Sequence, residues 1–187
     1  PTNGEVQGAV ATNADITELV RARAELEELA SRDGLTGLAN RGAFQTRLHS
    51  ALESSRSSGD VVALLFLDLD GFKRVNDTLG HSQGDHLLQM AAVRIADQLR
   101  HTDFVARIGG DEFVILLPSL GRNETSAAQV AEEVADRVVR CLTEPFDLTT
   151  KVVRVSASVG IALSGAAIAD VEAEELLRQA DLAMYAA

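Results

Sequence analysis

The chain has 187 residues, of which 46% are hydrophobic and 4% aromatic, and a formal net charge of −11. That length suits one compact domain plus an appendage. The acidity and the absence of Trp argue against nucleic acid, which needs a basic face or a stacking platform. A nucleotide ligand is still allowed, because metal ions can supply positive charge. The single cysteine, Cys141, cannot form an internal disulfide, which fits a reducing cytoplasmic compartment. No apolar run reaches membrane-spanning length and no signal peptide is visible. The chain begins at Pro1 without Met and reads as a piece of a parent protein whose other segments can be membrane-attached.

Residues 4–13, GEVQGAVATN, read as a strand. Asp15 then caps a helix start, with Glu18 three residues on. Leu19, Ala22, Leu26 and Leu29 follow at 3-4-3 spacing, which suits either a parallel dimer seam or an amphipathic helix packed on its own domain. SRDGLTGLANR, 31–41, is a turn-rich connector; a helix starts after Asn40 and ends in the polar SSRSSGD. VVALLFLDLD, 61–70, is apolar and partly β-branched, the pattern of a buried strand. Gly71 breaks it, and the short helix FKRVNDTLG follows. A second helix is predicted from about Asp85 to Arg100, with Leu87, Leu88, Ala91, Ile95 and Leu99 on one face.

VARIGGDEFVILLP, 105–118, places two β-type runs around Gly109-Gly110, a hairpin signal, with Asp111 and Glu112 directly after. ETSAAQVAEEVADRVVRCL is a third helix, with Val130, Val134, Val138 and Leu142 at i+4 steps. KVVRVSASVGIAL, 151–163, reads as one strand paired with FDLTT, and EAEELLRQADLAMYAA as a final helix. The order βαββαβ predicts an α/β (α+β) fold, a mostly antiparallel sheet with surrounding helices.

Asp68 and Asp70 end the buried strand two residues apart, so they share a face. Carboxylates delivered by an apolar strand are costly unless a cation pairs with them. DLDG is not a calcium loop, because the required Gly and Glu positions hold Lys73 and Leu79. If this strand pairs with the hairpin, Asp68 approaches Asp111, and magnesium favours one or two carboxylates plus substrate phosphates. Gly71 and Phe72 start a helix whose N–H groups can hold phosphate, and Lys73 adds a point charge. These are parts of a metal-dependent nucleotidyl-transfer site without a Walker loop. The plain alternative is an ordinary turn carrying acids.

DGLTGLANR, DLDGFKRVNDTLGHSQGD, RHTDFVARIGGDEF, and SVGIAL followed by ADLAMYAA occur in that order between Asp33 and Ala187. This set resembles the GGDEF diguanylate cyclase domain. The resemblance implies a fold similar to nucleotidyl cyclases and polymerase palms. It implies condensation of two GTP into cyclic di-GMP and two pyrophosphates by a homodimer with one GTP per subunit. It further implies magnesium, or manganese, held by Asp68, the Leu69 backbone carbonyl and Asp111. Gly109 and Gly110 would let phosphates approach, Lys73 would stabilise their charge, and either Asp111 or Glu112 would help activate the attacking 3′-hydroxyl. Asn76 and Asp85 match the guanine-reading pair; their plain alternatives are a helix-end polar residue and an N-cap after Gly84. Arg100 and Asp103 match the RxxD site that binds cyclic di-GMP as an inhibitor; the alternative is an i,i+3 ion pair at a helix end.

Departures from the pattern are few. Family members usually continue past MYAA with a lysine and an arginine that touch the phosphates, so weaker GTP affinity is expected here. Gly34 and Ala39 stand where prolines are common, which affects loop stiffness. His49, His81, His86 and His101 form no metal-ligand pattern. Residues 4–19 resemble the end of a PAS sensor running into a signalling helix, and ADLAMYAA is typical of members with a phosphodiesterase domain downstream. The expected division is 1–32 as strand and linker helix and 33–187 as the cyclase domain. Two other readings are a regulatory module that binds GTP or cyclic di-GMP without turnover, and a class III adenylyl cyclase-like or palm-like domain. Intact Asp68, Lys73, Asp111 and Glu112 favour the enzyme, and Asn76 with Asp85 favours guanine.

Overall fold

The computed structural model describes residues 30–149, 151–164 and 172–186. The chain divides into two units, 1–30 and 31–187. The expected N-terminal strand, the Asp15 cap and the 19–29 seam lie outside the described residues.

Among the described residues the elements are α1 Arg41–Ser58, β1 Val62–Asp70, α2 Phe72–Leu79, α3 His81–Asp97, β2 Phe104–Gly109, β3 Glu112–Leu117, α4 Glu124–Thr143, β4 Phe146–Asp147, β5 Val152–Val153, β6 Ser156–Ser164 and α5 Ala173–Tyr185. Four strands form one sheet in the order β2-β3-β1-β6, every pair antiparallel. The expected βαββαβ order therefore stands, with β4 and β5 as a small second sheet.

Strand β1 lies at the centre, and its period of two divides it between two cores. Ala63, Leu65, Leu67 and Leu69 pack with Leu88, Ala91 and Ile95 of α3 and Val134 and Val138 of α4. Val62, Leu64 and Phe66 pack on the other face with Phe44 and Leu48 of α1 and Leu176 and Ala180 of α5. That explains why the run is apolar without alternation: helices cover both sides. Each Val, Leu, Ile or Phe among them contributes roughly 1.5–3 kcal/mol when fully buried. Gly160 in β6 has a packing reason, since a Cβ there would overlap the Ala180 carbonyl and the Met184 nitrogen. The helix α5 thus rests directly on strand backbone.

Asn40 caps α1 as expected, its side chain accepting from the Ala43 N–H, and Gly59 ends it in the left-handed conformation. Three expectations need correction. The helix α3 starts at His81, four residues before Asp85, and ends at Asp97, so Leu99 and Arg100 lie beyond it. Gly84, which suggested a helix start, is instead an interior glycine required by packing. Residues 151–163 are not one strand: Val152–Val153 pairs with β4, whereas Ser156–Ser164 pairs along the whole of β1. The buried Val155 turns inward between them and interrupts the ladder. On α4, Val130 is only half-buried, and Ala127 and Ala131 are buried in its place.

Candidate active site at the edge of the sheet

The pairing of β1 with β3 sets Asp68 directly opposite Glu112. Directly opposed residues point to one face, so these two carboxylates share it. The hairpin turns at Gly110 and Asp111, between β2 and β3. Gly110 has φ +48, a left-handed value that glycine takes without steric cost. Asp111 thereby sits at the tip, and its carbonyl accepts the Leu69 N–H at 3.3 Å.

The electrostatics follow. Burial, and then the neighbouring charges of Asp111, Asp70 and Glu112, push the Asp68 carboxyl up to about 6. Asp70 differs from Asp68 despite the shared face. It accepts from the Ser156 hydroxyl at 2.8 Å and the Ser158 hydroxyl at 3.0 Å, tying β1 to β6. Among the described residues no three His, Cys, Asp or Glu side chains form a closed metal cage. An open set of hard oxygen donors remains, and it fits a hard divalent cation that shares its shell with substrate phosphates.

Gly71 precedes α2 with a left-handed φ, and no side chain caps the helix start. The first N–H groups of α2 are thus unclaimed by a cap, and Lys73 beside them is exposed. Asn76 lies on α2 toward α3. A Cβ on Gly84 would overlap Asn76 Oδ1 and come within 3.3 Å of the Phe72 ring. The close crossing of α2 and α3 therefore needs glycine, and it brings Asp85, the next residue in the chain, near Asn76. Asn76 Oδ1 is buried without a hydrogen-bond partner. Asp85 is exposed on the first part of α3 and is not an N-cap, since Gly80 occupies that position.

Sequence reasoning missed one arrangement behind the hairpin. Arg107 donates from Nε and Nη2 to the Gly110 carbonyl at 2.9 and 2.8 Å. Its Nη1 pairs with both oxygens of Asp33 at 3.0 and 3.2 Å. Asp33 also accepts from the Thr36 backbone N–H at 2.9 Å and from its hydroxyl at 2.6 Å. Burial raises the Asp33 carboxyl, but the Thr36 bonds and Arg107 outweigh it and hold the group below its ordinary value. The available signal was an Asp three residues before a Thr in a glycine-rich turn, an Asx-type pattern.

Arg100 and Asp103 lie in the exposed turn after α3. Asp103 Oδ2 accepts the Arg100 backbone N–H at 3.0 Å, and the Arg100 carbonyl accepts the Asp103 N–H at 3.0 Å. Among the described residues the Arg100 guanidinium makes no ion pair with Asp103. The helix-end ion pair is therefore set aside: the Asp103 carboxylate and the backbone close the turn, and the guanidinium is left to solvent.

An antiparallel palm-like sheet carrying carboxylates at a hairpin tip defines a class of nucleotidyl-transfer domains. Within it, residues 30–187 match the family described as diguanylate cyclase, GGDEF domain. The chain belongs to the GGDEF diguanylate cyclase family. It is 42% identical over 175 residues to the bifunctional diguanylate cyclase/cyclic di-GMP phosphodiesterase MucR of Pseudomonas aeruginosa, covering 93% of this chain and 24% of that protein. It is 42% identical to diguanylate cyclase TpbB of the same organism, covering 88% of this chain and 36% of that protein. The solved GGDEF domain of TpbB superposes with a TM-score of 0.76 at 41% identity, covering 83% of this chain and 87% of that one. The chain thus spans well under half the length of these curated relatives.

Proposed function

We propose that the chain is a diguanylate cyclase that condenses two GTP into cyclic di-GMP and two pyrophosphates. The observation that carries this reading is the Asp68–Glu112 register with Asp111 at the adjoining tip, a half-buried carboxylate cluster crowded enough to push Asp68 to about 6. Asp68, the Leu69 carbonyl and Asp111 would hold magnesium or manganese, which would supply Lewis-acid charge against the phosphates when bound. Phe72 N–H, the Gly109-Gly110 backbone and Lys73 would cradle the triphosphate. Asn76 and Asp85 would read guanine: a carboxylate accepts from N1–H and the 2-amino group, and adenine has neither donor. Asp111 or Glu112 would take the proton from the 3′-hydroxyl of one GTP as that oxygen bonds to the α-phosphorus of the other and pyrophosphate leaves. Each site supplies half of the two bonds needed, so the active form is a homodimer.

Residues 33–187 are the proposed catalytic domain, cytoplasmic, with residues 1–32 as a linker from a PAS-like sensor and a phosphodiesterase domain possible downstream. In the described residues no helix is long and apolar enough to cross a membrane. A second reading, nucleotide binding without turnover, is favoured by relatives of this segment that are named cyclic di-GMP phosphodiesterases. Incubation with GTP and magnesium separates the two. The proposal expects cyclic di-GMP and pyrophosphate in a 1:2 ratio, and a binding module returns GTP unchanged. GTP should also outcompete ATP by about 10⁴-fold, as sites built on missing hydrogen-bond groups do.

A further inference from the structure

Helix α2 has a second side. Phe72 and Asn76 face Gly84. With 3.6 residues per turn, Arg74 and Thr78 fall roughly opposite them. There, Arg74 and Thr78 meet Lys151 and Arg154 around a cavity of about 310 Å³, with Val75 and Val153 as apolar wall. Arg74 Nη2 reaches back to within 3.5 Å of where a Gly71 Cβ would be, so the cavity adjoins the start of α2 without including Gly71 or Lys73.

Three observations bear on what this cavity can hold. None of its lining residues is acidic, in a chain with 28 acidic and 17 basic residues. Among the described residues, the side chains of Arg74, Lys151 and Arg154 make no hydrogen bond or ion pair. They share this with Arg47, Arg56, Arg100, Arg122 and Arg140, whereas the guanidinium groups of Arg41, Arg94, Arg107, Arg137 and Arg178 are each held by a carbonyl or a carboxylate. The third is size: the cavity lies at the small end of the roughly 300–1,000 Å³ typical of small-molecule sites. Three cations converging on one concavity repel one another, and that cost is recovered when an anion neutralises them. Guanidinium forks and an ammonium match the oxygens of a phosphate group, and the Thr78 hydroxyl can donate as well.

We propose that this cavity binds a small, multiply charged phosphate anion, at a site separate from the one assigned to GTP. The proposal does not depend on the cyclase reading. The probe is inorganic pyrophosphate without divalent metal, followed by amide NMR and calorimetry on the wild-type chain and on Lys151→Ala/Arg154→Ala. Both residues are exposed, and a melting curve checks that the variant remains folded. The expected result is saturable shifts at Thr78, Val152, Val153 and Arg154. Affinity should fall at least tenfold in the double variant and decline with added salt. Sulfate, with less charge, should bind at least tenfold more weakly. Shifts confined to Gly71, Lys73 and the hairpin, unchanged affinity in the variant, or equal binding of sulfate would each overturn the proposal.

Discussion

Asp68 carries the sharpest electrostatic conflict among the described residues. Its carboxyl is shifted up to about 6, first by burial and then by three neighbouring acids. A folded-state value above the ordinary one means that the fold favours the neutral acid. The stabilising contribution is complete below about pH 4, and it is lost as pH rises through 6. Asp68→Asn should therefore raise the melting temperature of metal-free protein at pH 7 and change it little at pH 4. An equal effect at both pH values would remove the electrostatic explanation. The same shift makes protons compete with the proposed cation, so magnesium should raise the wild-type melting temperature less at pH 5 than at pH 7. At the hairpin tip, Asp111→Asn should leave the fold intact and cost roughly 2–4 kcal/mol of transition-state stabilisation. Near-normal turnover would exclude Asp111 from the chemistry.

At the scale of elements, the hairpin is held from behind. Arg107 ties the Gly110 carbonyl to Asp33, and Asp33 is itself fixed by Thr36. Breaking a partly buried arginine–carboxylate pair leaves the tip carbonyl and the connector uncoupled. Asp33→Ala should speed amide exchange at Asp111 and Glu112 and lower turnover, and Arg107→Ala should do the same without an additive effect in the double variant. Fully additive losses would show that the two residues act separately. This arrangement was hidden in the sequence because it joins residues 74 positions apart, one in a loop and one on a strand. The carboxylates were legible for the opposite reason: an apolar strand ending in Asp68 and a glycine turn followed by Asp111 are local signals. Pairing of β1 with the hairpin was only a condition at the sequence level, and the ladder that sets Asp68 opposite Glu112 meets it. The start of α3 was misread because Gly84 looks like a break in one dimension, and only the crossing with Asn76 gives it a reason. Likewise the strand at 151–163 was joined across Val155, whose inward turn has no periodic signature.

At the scale of the whole molecule, the proposed reaction would need two chains, each offering half of what two phosphodiester bonds require, and the turn at Arg100 faces solvent. The Asp103 carboxylate and the Arg100 carbonyl already close that turn, so the guanidinium would be available for the proposed bidentate bond to the phosphate or guanine edge of cyclic di-GMP. Arg100→Ala should keep the initial rate and weaken product inhibition, by tenfold for each ~1.4 kcal/mol that the guanidinium supplied to product binding. Progress curves that slow at the same added product in both proteins would leave RHTD without a regulatory role. The most direct measurement of the central claim is the rate of cyclic di-GMP formation from GTP and magnesium, by mass, across a dilution series. The account predicts product from the wild type and a rate that falls with the square of protein concentration at high dilution, with Asp111→Asn lower throughout. GTP that binds and is recovered unchanged at every concentration would contradict it.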